Sequence, residues 1–109
     1  MIPRGTTPTH WFTIPFNASV VEKVKVIFAQ EDKKVFEKLN DACIISGNTV
    51  ETTLTEEETL MLNQEYRTQI QLRVKLTDGT LHRSNIIVVD TGELLENDPF
   101  EVDDDEVFG

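Results

Sequence analysis

Apolar and polar residues alternate at period two along most of the chain, the signature of half-buried β-strands. In residues 10–16, Phe12, Ile14 and Phe16 share one face, while Pro15 on the other confines the stretch to a sheet edge. Asn17 to Ser19 turn the chain. Residues 22–30 then set Val24, Val26 and Phe28 against Lys23, Lys25 and Ile27, a strand whose outer face begins cationic. Glu31, Asp32 and Lys33 form a polar break suited to a hairpin loop, and Val35, with Phe36 and Leu39 less cleanly, starts another strand.

Two β-rich runs, residues 42–46 and 49–54, flank Gly47-Asn48, which predicts a hairpin. Thr55 followed three residues later by Glu58 predicts a capping box, and Glu56, Glu57 and Glu58 sit where the dipole of a new helix favours carboxylates. Leu60, Met61 and Leu62 leave room for only about two turns, so the helix is a connector. The cleanest strand is residues 66–77, where Ile70, Leu72, Val74 and Leu76 alternate with Gln69, Gln71, Arg73 and Lys75. Asp78-Gly79 predicts a type I′ hairpin turn with positive φ at both residues. The return strand, residues 80–90, loses its period at the continuous apolar run 86–89, which predicts a bulge near Ser84 or burial on both faces at the end.

About seven short strands with frequent turns and one short helix between late strands predict an all-β fold, an antiparallel immunoglobulin-like β-sandwich. The chain has 109 residues, room for one core. Residues 1–8, with two prolines, one glycine and little apolar content, read as an extended arm; residues 9–92 are expected to form the sandwich and residues 93–109 an acidic tail. The net charge is -10, and eight of the twenty acids fall from Glu93 onward, so twelve acids face all ten bases in the first 92 residues. That balance argues against nucleic-acid binding. The apolar stretch 24–29 is broken by Lys25 and is far too short for a membrane span, so a soluble chain is expected.

No constellation of side chains points to catalysis, a cofactor or a metal, and the chain reads as a non-enzyme. His10 and His82 lack metal-ligand spacing and read as surface imidazoles. Cys43, the sole cysteine, opens an apolar run and reads as a small buried hydrophobe. Asp103, Asp104, Asp105 and Glu106 lack the spacers and glycine of a calcium loop. Trp11 reads as a core aromatic, with a carbohydrate-stacking platform as its alternative role. Phe100, Val102, Val107 and Phe108, interleaved with the tail acids, are the candidate partner-binding residues: the acids discourage self-burial while the apolar side chains offer anchors. They predict a partner with a basic groove and apolar pockets, a neighbouring subunit.

Three stretches together carry a resemblance: MIPRGTTPT at residues 1–9, LTEEETL at residues 54–60, and QIQLRV at residues 69–74 with Asp78-Gly79 and SNII at residues 84–87. The set resembles small β-sandwich proteins from the tail and baseplate gene region of phages and prophages of Firmicutes-type bacteria. The resemblance implies a virion structural or adaptor protein, made in the host cytoplasm, that assembles through sheet edges and terminal arms with itself or other virion proteins. It supplies no catalytic residues. Two other roles compete: an acidic inhibitor or DNA mimic acting on a basic host protein, and a small carbohydrate-binding module.

Overall fold

The computed structural model describes residues 2–92. They are all-β, with ten strands, one short helix and two single 3-10 turns, Ala18–Val20 and Asn40–Ala42. The strands are β1 (Ile2–Pro3), β2 (Thr9–Thr13), β3 (Val21–Gln30), β4 (Lys33–Lys38), β5 (Cys43–Ser46), β6 (Thr49–Thr53), β7 (Thr68–Leu76), β8 (Leu81–Arg83), β9 (Ile87–Val89) and β10 (Thr91–Gly92). Helix α1 (Glu56–Leu60) joins β6 to β7. The partner-binding candidates Phe100, Val102, Val107 and Phe108 lie outside the described residues.

Two antiparallel sheets share one core. The smaller has the order β2-β6-β5; the larger runs β4-β3-β7, and both β8 and β9 pair with the far edge of β7. The alternation anticipated for β3 and β7 decides which face is inward. Val24, Val26 and Phe28 stand opposite Val74, Leu72 and Ile70, and all six are buried. Val50, Leu54 and Ile14 close the core from the other side. Phe36 stacks on Phe28 at 4.7 Å between centroids, which fills the β4 end.

The turns show how local chemistry fixes register. At Glu31-Asp32 both residues adopt positive φ, 50° and 64°, the backbone of a two-residue hairpin. Gln69 holds that strained tip by accepting the Asp32 N–H at 2.9 Å and donating to the Asp32 carboxylate at 2.9 Å. Asp78-Gly79 does form a hairpin, but not of type I′: only Gly79 has positive φ, +89°, and the Leu76 N–H donates to the Thr80 carbonyl at 3.0 Å across a three-residue loop. The Asp78 carboxylate accepts from the Thr80 N–H and hydroxyl, and these bonds hold its pKa below the usual carboxylate value. That local capture keeps Asp78 out of the left-handed region and leaves it to Gly79.

The capping box is present. The Thr55 hydroxyl accepts the Glu58 N–H at 3.1 Å, and the Thr55 N–H donates to the Glu58 carboxylate at 2.8 Å. The same carboxylate also takes Lys38, whose buried ammonium lies 2.7 Å away.

The first described residues, read as an extended arm, are docked against the body. Ile2 is fully buried and pairs in parallel with Thr91, and Arg4 is buried with its guanidinium on Gln64 and the Leu60 carbonyl. Gly5 N–H donates to the Thr59 hydroxyl, which donates to the Thr6 carbonyl. One isoleucine in a polar stretch is too weak a pattern to forecast this, yet β10 and α1 supply partners for nearly every polar group around it.

Candidate interaction surface

The residues singled out for chemistry are dispersed. Among the described residues no three His, Cys, Asp or Glu side chains gather as a metal site would require. His10 is not a surface imidazole: it packs edge-on against Phe28 at 5.9 Å, its Nε2 is buried without a hydrogen-bond partner, and burial lowers its pKa. His82 is exposed, with Phe16 beside its ring at 4.7 Å. Cys43 is half-buried, and burial raises its thiol pKa, which disfavours the reactive thiolate. Trp11 is not a core aromatic. It is 66% exposed on the outer face of the smaller sheet, in one row with Glu51 and Ile44, because Ile14 and Val50 already fill the space beneath.

An organised surface covers the outer face of the larger sheet. Residues opposite one another in an antiparallel pair point to the same side, so the register assigns its rows. Lys23, Lys75 and Leu81 form one row; Lys25, Arg73 and Arg83 form the next. Beyond them come Ile27 with Gln71, then Ala29 with Gln69 and Val88. Ile86 shares a shallow groove with Ile27, Ala29 and Gln71. The face is therefore cationic at one end, and at the other mixes apolar side chains and amides with Glu37 opposite Ile27, Lys34 opposite Ala29 and Asp32 in the groove. An open groove of about 540 Å³ crosses the cationic end, where Leu39 and Leu81 flank the lysines.

Directly opposed like charges destabilise a sheet, and here five cations occupy two adjacent rows. Glu37 sits 3.5 Å from Lys25, and Glu22 lies 3.9 Å from Lys75. Lys23, Arg73 and Arg83 have no ion-pair partner among the described residues. The sequence hinted at this face only through Lys23 and Lys25; the contribution of β7 and β8 needed the pairing register.

Comparison with protein-family models, with curated proteins and with solved structures returned no match.

The edge of this sheet is the second notable feature. Along β8 the paired residue numbers run Arg73 with Arg83 and Lys75 with Leu81; along β9 they run Ile70 with Ile87 and Thr68 with Val89. The β9 register is displaced by one, so one extra residue sits between the two strands. Ser84 anchors the break: its N–H donates to the Leu72 carbonyl and its hydroxyl accepts the Leu72 N–H, both at 2.9 Å. The irregularity forecast near Ser84 is thus present, while the alternative of burial on both faces is not: Ile86, Ile87 and Val88 are all exposed. Among the described residues no strand covers the far side of β8 and β9.

Proposed function

We propose that this chain is a non-enzymatic structural or adaptor module that assembles through its sheet edges and terminal segments, as a tail or baseplate component of a virion does. The observation that carries the reading is the β8–β9 edge, where, among the described residues, backbone groups without a partner strand coincide with exposed Leu81, Ile86, Ile87 and Val88. Isolated soluble domains protect such edges with charge or cover, because an open apolar edge recruits another chain. Among the described residues the protection is limited to one bulge and Arg83, which suits a surface meant to accept a strand. The partners are further copies of the chain or neighbouring virion proteins. An acidic mimic would spread carboxylates over a rigid face, whereas the organised charged face of the described body is cationic, which favours the assembly reading.

The test is the presence of the protein in purified particles, combined with sedimentation of the full chain across a concentration series. Association that disappears in Ile87→Lys with the melting temperature preserved supports the reading. Absence from particles together with a monomer at every concentration overturns it.

One observation favours a second reading. Exposed Trp11 beside Glu51 offers the indole face and the carboxylate acceptor that a sugar ring uses. Glycan-dependent quenching of the single tryptophan, abolished by Glu51→Ala, would support carbohydrate binding; an unresponsive glycan array would remove it.

A further inference from the structure

The groove across the cationic end of the larger sheet has a layout of charge as well as a shape. Leu39, which follows the Lys38 paired with Val26, stands at one side of it, and Leu81, paired with Lys75, stands at the other. Between them lie Lys23, Lys25, Arg73 and Lys75, on the two central strands β3 and β7. Lys23 and Arg73 are exposed and form no ion pair among the described residues; Lys25 shares Glu37 with Lys34, and Lys75 has Glu22 at 3.9 Å. Opposed like charges repel one another across the folded sheet, so a ligand that neutralises them relieves that repulsion in addition to making its own ion pairs. The surroundings restrict what the ligand can be. Glu22 and Glu37 beside the lysines, and Asp41 in the lining, would repel a long polyanion running past the patch. Apart from His82, the lining holds no aromatic ring among the described residues on which a nucleic-acid base could stack. A short segment fits better. The sheet between Leu39 and Leu81 is three strand spacings wide, about 14 Å, which an extended peptide crosses in about four residues.

We propose that this groove binds a short, extended acidic segment of a partner protein, with an apolar residue at each end against Leu39 and Leu81 and carboxylates between them on Lys23, Lys25, Arg73 and Lys75. The charges supply attraction and register, and the two leucines mark where the segment begins and ends. The inference rests on the assembly reading for the partner's being a protein, and deepens it by giving that partner's chemistry. It uses a surface separate from the apolar part of the β8–β9 edge, since Ile86, Ile87 and Val88 lie outside the groove lining.

The experiment titrates the full chain into a fluorescein-labelled peptide, Leu-Asp-Glu-Asp-Leu-amide, and reads anisotropy. Saturable binding is expected at low salt, weakening by at least about tenfold when salt is raised toward 1 M, where the Debye length is only about 3 Å. Lys23→Gln/Arg73→Gln is expected to lose at least about tenfold in affinity with the melting temperature preserved, because neither side chain has an ion pair to give up. Asp41→Asn is expected to tighten binding about two- to threefold, a gain that a damaged fold could not produce. No saturable binding to the parent chain at low salt overturns the proposal, as does equal affinity in the Lys23→Gln/Arg73→Gln variant. A Ser-Asp-Glu-Asp-Ser peptide that binds as tightly, or a labelled single-stranded oligonucleotide that binds more tightly, also overturns it. Ile87→Lys, which tests the strand edge, is expected to leave peptide affinity unchanged, so loss of edge assembly and loss of groove binding are read separately.

Discussion

Glu58 serves two partners at once, closing the capping box with Thr55 and neutralising buried Lys38. Only the first role was legible, because Lys38 lies twenty residues upstream and its alternation on β4 does not announce a buried cation. The two roles separate by mutation. Thr55→Ala should cost about 0.5–2 kcal/mol, and Thr55→Asp should be nearly silent because Asp caps equally well. Glu58→Ala should cost more, about 1.5–3 kcal/mol, because it also strands the Lys38 charge; urea denaturation of the three variants checks the order. His10 supplies the pH dependence. Its folded pKa lies below the unfolded value of 6.5, so the unfolded chain binds the proton more readily, and its contribution is present above 6.5 and lost as pH falls through the lowered folded value. The melting temperature should therefore drop more steeply from neutrality toward pH 5 in the parent chain than in His10→Gln. Parallel curves for the two would refute that assignment.

At the scale of elements, β3 and β7 were legible because each keeps strict alternation over enough residues for one face to be unambiguous. Leu72 stands opposite Val26 in the middle of that pair, and both are buried. Leu72→Ala should destabilise by about 2–5 kcal/mol through lost transfer energy and a residual cavity; a change below about 0.5 kcal/mol in chemical denaturation would contradict the burial. The elements that escaped, β1 and β10, have two residues each, too few to display a period. Trp11 was misread for a related reason: alternation says which residues share a face, but the facing layer decides which face is covered. The bulge between β8 and β9 offers its own check. Removing Asn85 takes out the one extra residue while preserving both flanking registers, so stability should shift by no more than about 1 kcal/mol. The edge then becomes longer and straighter, and light scattering should report increased self-association relative to the parent chain.

For the whole molecule, the parallel pairing of Ile2 with Thr91 and of Pro3 with Gly92 joins the two ends of the described body. Within the sheets β3–β4, β5–β6 and β7–β8 are local hairpins while β2–β6 and β3–β7 join strands well separated in sequence, and this clasp spans more of the described chain than any of them. During synthesis, Ile2 leaves the ribosome long before its partner exists, and the entropy of closing so long a loop is met only once Gly92 has emerged. Until then an unpaired N-terminal strand and an uncovered patch of core accompany an otherwise folded body, the kind of surface that chaperones and proteases recognise. The seating of Ile2 thus waits on the emergence of Gly92, and bulk placed next to Ile2 would delay maturation more than the same bulk attached to any hairpin tip.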